Sequence, residues 1–338
     1  MVTILACIFV FGILITVHEL GHFLTAKLTG MKVEEFAIGF GPEIFKTQEG
    51  ETKYSLRALP LGGFNRISGM DPDDPQDERS FGSKPVKSRM LVILAGSLMN
   101  LILPVIIFWV QFMSSGISIP TNEPVFGSIV PKYAAAEAGL QAGDRVLSIN
   151  GVQVTTWAQV HDLIAESGGK AIQLEIDRNQ QKLAVQVQPT ANPDTGKPFI
   201  GVMGSTEMKK LGLVDSLVTS VKYTGFIIVS MVSALYHMII GSTAADVSGP
   251  IGVAKMAGEV AQKGIGLLFN FVALLSLNLA VINMLPLPAL DGGYFFLLLW
   301  EGLTGHKVSQ EAMMRIQQVG VAMIVALTLF ATYKDLMR

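Results

Sequence analysis

Long apolar stretches dominate this chain. The first runs from about Val2 to Ala26, with no charged residue before the His18-Glu19 pair. Met90 to Phe112 is uncharged throughout, Gly264 to about Leu285 is apolar, and Ala312 to Tyr333 closes the series. Each is long enough to cross a hydrocarbon core of about 30 Å as a helix, so the pattern predicts four transmembrane helices. Tyr223 to Gly241 is a further uncharged run. Its Ser, Thr, Tyr and His237 content favours a helix lying in the interface, and a crossing there would deliver the next span to the wrong face. Between the first two spans Phe36, Ile38 and Phe40 alternate as in a half-buried strand. Glu35 to Phe45 and Thr52 to Ala58, joined through Gln48-Glu49-Gly50-Glu51, predict a β-hairpin closed by a flexible turn at Leu59-Pro60-Leu61-Gly62-Gly63-Phe64. Met70 to Ser83 is acidic and proline-rich and predicts a surface loop.

Residues Val125 to Pro189 break the apolar pattern. Gly139-Leu140-Gln141-Ala142-Gly143-Asp144-Arg145-Val146-Leu147-Ser148-Ile149-Asn150-Gly151 resembles the glycine-aspartate and Asn-Gly signature of PDZ domains. Asn-Gly makes a tight turn, Trp157 to Glu166 has helical spacing, and Ile172 to Ile176 alternates. PDZ domains take extended peptide ends by adding a strand at a sheet edge. The expected organisation is a first membrane part over 1–115, the PDZ domain over 116–190, an interfacial connection over 191–263 and a second membrane part over 264–338.

Composition agrees with this class. The chain has 338 residues, half hydrophobic and only 15% charged, which fits a polytopic membrane protein with one modest soluble domain. A net charge of −2 without a basic run gives no footprint for nucleic acid. The lone Cys7 excludes a disulfide framework within the chain. The first stretch lacks a basic leader region and a small-residue cleavage site, and is read as a retained span. Lys84, Lys87 and Arg89 precede the second span, and the next basic residue is Lys132. The positive-inside rule therefore puts the start of that span in the cytoplasm and the PDZ domain outside. By parity the first span begins outside and delivers its far end towards the cytoplasm.

That far end carries the chemistry. His18-Glu19-Leu20-Gly21-His22 is an instance of H-E-x-x-H, in which two histidines one helical turn apart can grip a divalent metal while the glutamate takes a proton from water. A chance pair of histidines near a helix end is the bland alternative. Ionisable groups within an apolar span are expensive, however, and mark function. A third ligand is expected at Asp291, in Asn283-Met284-Leu285-Pro286-Leu287-Pro288-Ala289-Leu290-Asp291-Gly292-Gly293, where two prolines and two glycines break the third span. Parity brings Asp291 to the leaflet that holds His18 and His22. Two histidines, one carboxylate and an open position form a catalytic zinc set. A metal transporter would use similar ligands, but it should show paired broken helices in internal repeats, and only one span is broken. Asn100 and Pro104 interrupt the second span, as helix packing or as part of the site.

Together, HELGH, the hairpin with Pro60-Leu61-Gly62-Gly63-Phe64, Gly96-Ser97-Leu98-Met99-Asn100, the PDZ signature and Asn283 to Gly293 resemble the bacterial site-2 protease family, in its branch that regulates sigma factors. The resemblance spans essentially the whole chain. It implies intramembrane zinc proteolysis of single-pass membrane proteins, including anti-sigma factors and remnant signal peptides, in a bacterial plasma membrane. His18, His22 and Asp291 would be the zinc ligands and Glu19 the base. Asn283, Asn100, Gly62 and Gly63 match substrate-binding positions, and the hairpin matches a membrane-associated loop that holds substrate as an added strand. Some relatives carry two PDZ domains where this chain has one.

Overall fold

The computed structural model describes every residue except 71–73, 75, 193–195, 242–247 and 338. The expected Met70–Ser83 loop therefore lies partly outside the described residues. The chain divides into two compact units, one formed by Met1–Phe112 with Leu213–Arg338 and the other by Met113–Gly212.

In the first unit, α1 (Val2–Leu28) and α2 (Val86–Ser115) are the two leading apolar stretches. Hydrocarbon offers backbone groups no partner, so an apolar run there closes its own hydrogen bonds as a helix. The helices run antiparallel. His22 on α1 meets Val92 early in α2, whereas Leu103 and Ile107 pack by Ala6, Val10 and Leu14. They approach closely at Gly21, where a Cβ would lie 2.3 Å from the Ala95 carbonyl oxygen.

β1 (Val33–Glu49) and β2 (Thr52–Ile67) connect them. The pairing is richer than a plain hairpin. Positions 35–38 pair on one side with 63–66 and on the other with 53–56, while 43–49 pair with 52–57. Gly39 and Gly41, at φ 92° and 83°, let the chain fold over between those registers. Leu59 to Phe64, expected as a closing turn, lies inside β2. The hairpin tip is clasped to the end of α1: Glu51 accepts two 2.6 Å bonds from Arg79 and one of 3.0 Å from Lys27. The Arg79 bonds first, then Lys27, hold its carboxyl down at about 2.

Helices α5 to α9 complete this unit: α5 (Leu213–Ile239), α6 (Pro250–Lys263), α7 (Ile265–Asn283), α8 (Asp291–Thr304) and α9 (Gln310–Met337). The expected interfacial stretch at Tyr223–Gly241 lies, up to Ile239, in the continuous 27-residue α5. Five helices are thus long and apolar enough to cross a membrane among the described residues, where the hydrophobic pattern gave four. Length and composition alone do not separate a crossing helix from one lying along the surface. The ends of α5 bear on this. Its start is tied to the end of α2, where Trp109 Nε1 donates to the Leu213 carbonyl at 3.0 Å and Tyr223 packs edge-on to Phe108. The next helix, α6, returns to the same end of α1, with Gly258 against Thr3. Ser248-Gly249-Pro250-Ile251-Gly252, expected as a loop, is largely the start of α6. Asp335 of α9 accepts from Gly249 N at 3.0 Å and Gly252 N at 2.7 Å, a carboxylate cap supplied from across the fold.

The second unit holds β3 (Ile117–Pro120), β4 (Phe126–Ile129), α3 (Ala134–Glu137), β5 (Arg145–Ile149), β6 (Val152–Gln153), α4 (Trp157–Glu166), β7 (Ile172–Arg178) and β8 (Gln181–Val187). β9 (Thr190–Ala191), β10 (Pro198–Phe199), β11 (Val202–Gly204) and β12 (Thr206–Lys209) follow. An antiparallel sheet in the order β6-β5-β7-β8 carries the core through Val146, Ile149, Ile172, Leu174 and Ile176. The expected end at 190 falls short of the unit, because β11 returns to pair with β4 and β12 with β3. Only pairing between distant segments reveals this, since these strands are too short to alternate legibly.

Asp144 gives this unit a pH dependence. It accepts two 2.7 Å bonds from Arg178 and one of 2.8 Å from the Gln141 amide. Burial pushes its carboxyl up, but the Arg178 and Gln141 bonds outweigh that and hold it below the usual range. The folded state thus favours the charged form. Its contribution is present above the unfolded pKa of about 3.9 and is lost as pH falls through the lower folded value. Hydrogen exchange, corrected for intrinsic rates, should show β5 and β7 loosening below about pH 4. In Asp144→Asn that acid step should vanish and the sheet should be less protected at neutral pH.

Candidate metal centre

Three elements converge on one point. On α1, His18 and His22 sit one turn apart with their rings nearly perpendicular, at 84° and 4.8 Å between centroids. Their Nε2 atoms are 3.2 Å apart and lie 3.4 and 3.6 Å from Asp291 Oδ2. One ligand atom from each of the three residues falls within 4.8 Å of the others. Asp291 is the first residue of α8, where the helix dipole favours a carboxylate. The hydrophobic pattern placed it at the broken end of the third span, without foreseeing that a separate helix begins there.

The break has a steric logic. α7 stops at Asn283, and the chain doubles back through Pro286, Pro288 and Ala289, the last at φ 67°. It then lies against the start of α8 so closely that a Cβ on Gly292 or Gly293 would come within 2.2 Å of the Leu285 or Leu287 carbonyl oxygen. The far end of α8 is pinned by a buried ion pair, Arg89 donating to Glu301 at 2.9 and 2.6 Å. α2 supplies the floor. A Cβ on Gly96 would lie 2.3 Å from His22 Nε2 and 2.7 Å from His18 Cε1, so only glycine fits beneath the pair.

The surroundings fit a metal cation. Both histidines turn Nε2 towards Asp291, which leaves Nδ1 of each to carry the proton. His22 Nδ1 donates to the Val92 carbonyl at 2.8 Å. His18 Nδ1 lies 3.1 Å from the Asn100 side-chain amide, whose Oδ1 is buried with no partner among the described residues. With the amide turned over, that oxygen accepts the Nδ1 proton. Outer partners of this kind fix the tautomer and raise the basicity of a metal-ligating histidine. Ser97 Oγ reaches Asp291 Oδ2 at 3.5 Å.

The remaining expected site residues divide. Glu19 lies beside the histidines on α1, its carboxylate held by Asn65 of β2 at 2.7 Å. Asn65 was not singled out from the sequence, because an asparagine in a strand carries no motif. Asn100, expected at the substrate, is fully buried behind His18. Asn283 is half-buried at the end of α7, and the histidines find their partners elsewhere, in Val92 and Asn100. Gly63 lies against Glu19, where a Cβ would meet Cγ at 3.3 Å. Gly62 is required by the Phe40 ring, which a Cβ would overlap at 1.8 Å.

Apolar helices that enclose an H-E-x-x-H turn and a distant aspartate define a membrane-embedded metalloprotease. The chain belongs to peptidase family M50, whose family model matches residues 6–327, and it is a zinc metalloprotease. It is similar to the regulator of sigma-W protease RasP of Bacillus subtilis, at 31% identity over 99% of this chain and 98% of that one. The zinc metalloprotease RasP of Geobacillus kaustophilus matches at 31% over the same shares. A Clostridium acetobutylicum relative is 37% identical over 98% of this chain and 96% of its own. Among solved structures, the PDZ domain of an SdrC-like protein from Listeria monocytogenes covers 26% of this chain and 93% of that one. At 20% identity and a TM-score of 0.23 it is too slight a likeness to build on.

Proposed function

We propose that the protein is an intramembrane endopeptidase that cuts within the membrane-embedded segments of single-pass proteins, with His18, His22 and Asp291 holding zinc and Glu19 as the base. The observation that carries this reading is the meeting of those three ligand residues, their ligand atoms within 4.8 Å of one another, among helices apolar enough to span. Bound there, zinc supplies Lewis acidity to the hydrolysis. Glu19 accepts the proton of the attacking water and returns it to the leaving amine. Asn100 and Val92 hold the histidine rings in the ligating tautomer. Amides inside a helix are shielded by their own hydrogen bonds, so a substrate must unwind before it is cut, and the edge of the β1–β2 sheet near Gly63 offers it a strand to pair with. The sigma-W regulator among the relatives supports anti-sigma factors as one substrate class, and the family resemblance implies remnant signal peptides as another. Metal analysis tests the assignment. Purified protein should hold about one zinc per chain, and Asp291→Ala and His18→Ala should each lower it. Unchanged zinc in Asp291→Ala would remove it from the ligand set.

The same reading places the site towards the cytoplasmic leaflet and the Met113–Gly212 unit outside, with α1, α2, α7 and α9 crossing and α5 lying along the outer end of the bundle. Lys84, Lys87 and Arg89 ahead of α2 support the orientation. The attachment of α5 and α6 to the same end of the bundle supports the count. In a Cys7→Ser background, an impermeant thiol reagent added outside intact cells should label Ser167→Cys and leave Ser83→Cys unmodified. Equal labelling of both would refute this topology.

A further inference from the structure

We infer that Asn65 is a positioning residue that aims the carboxylate of Glu19, an inference that rests on Glu19 being the base. The side-chain Nδ2 of Asn65 donates to Glu19 twice, to the backbone carbonyl at 2.6 Å and to Oε2 at 2.7 Å. One nitrogen with two protons thereby ties the head group of the glutamate to its own main chain. Those two acceptors also fix which way the amide faces, since the opposite orientation would set Oδ1 against two oxygens. Two positions of the strand cooperate. Gly63 and Asn65 lie on the same face of β2, two residues apart. The missing side chain of Gly63 lets the strand reach Glu19, with Cγ 3.3 Å from where a Cβ would stand, and Asn65 then closes the contact.

A purely structural contact would not favour this residue. The Asn65 Oδ1 is buried and has no partner among the described residues, which ordinarily costs about 1–3 kcal/mol. An apolar side chain would dock the hairpin on α1 without that penalty. What an apolar side chain lacks is a donor for the carboxylate. Unsatisfied groups of this kind persist where they serve a site. A glutamate has three side-chain torsions, and a base must meet its proton within about 2.6–3.2 Å. Fixing Oε2 from the strand leaves Oε1 as the free oxygen of the pair.

The test uses the full-length protein and a cleavable single-pass substrate. Asn65→Leu keeps the branching and heavy-atom count and removes the donor, Asn65→Asp keeps the shape and removes the donor, and Asn65→Gln retains an amide. The Leu and Asp variants should lose roughly 10- to 100-fold in kcat, with KM and zinc content unchanged, and Gln should recover part of the loss. In a Glu19→Asp background, whose shortened carboxylate cannot keep the contact, Asn65→Leu should have little further effect on kcat. Substrate binding to Glu19→Gln, measured without turnover, should be the same whether or not Asn65→Leu is added. An undiminished kcat in Asn65→Leu overturns the inference and leaves the Glu19 assignment standing. So does an equal loss in the Glu19→Asp background, or a loss of zinc, because the contact then serves only to dock the hairpin. Wild-type cleavage by Glu19→Gln alone would instead overturn the reading of the base.

Discussion

Glu19→Gln should retain about one zinc per chain and lose cleavage by roughly 10²- to 10⁴-fold, the usual contribution of a positioned general base. The substitution is close to isosteric. Its amide oxygen can still accept from Asn65, now at 2.7 Å from Oε2, so the contact between β2 and α1 should survive. None of the three ligand residues is touched, so metal content and activity should separate. Appearance of the shortened substrate fragment on co-expression measures the loss, and metal analysis of the same preparation measures the zinc. Cleavage at the wild-type rate would mean that another group takes the proton.

Gly96→Val should have an effect as large by a different route. A Cβ at this position would stand 2.3 Å from His22 Nε2 and 2.7 Å from His18 Cε1, and valine adds two methyl groups beyond it. The helices have little room to part, because Gly21 of α1 already lies on the Ala95 carbonyl one residue away. Overpacking of this kind costs about 1–3 kcal/mol when the surroundings can shift. Here the least-anchored neighbours are the imidazoles. Both rings should turn away, with loss of zinc and proteolysis while helical content is retained. Gly12→Ala is the control. It lies on the same α1 with nothing within 4 Å of a Cβ, so metal and activity should be unchanged. Full zinc occupancy in Gly96→Val would show that the floor of the site yields more than the packing allows.

Several features of this protein were legible because their causes are local. The H-E-x-x-H turn needs only helical spacing to bring His18 and His22 together, and an uncharged run such as Met90 to Phe112 needs only length to span. Asn150-Gly151 reads as a turn because Asn150 adopts φ 51° and Gly151 φ 82°, which few other pairs tolerate. Asp291 was within reach for a further reason: prolines and glycines in an apolar run have no role in a plain helix. The start of α8 at Asp291 was not legible. A helix of that length ahead of another apolar stretch leaves no periodic signature distinct from the span before it. The same holds for α5, whose composition satisfies both a crossing and a surface helix.

What the sequence by itself determined is the chemistry and the solvent: two histidines and a glutamate on one turn, an aspartate at a broken helix, and long stretches that belong in lipid. Tertiary structure decided what surrounds that chemistry. Gly96 as the floor, Asn100 behind His18, Asn65 on Glu19, and Arg89 with Glu301 at the far end of α8 are contacts between residues tens to hundreds of positions apart. Periodicity and propensity report on a residue's neighbours along the chain. Hydrogen-bond partners and close approaches depend on which faces meet after packing, and a single sequence does not encode them in any readable spacing.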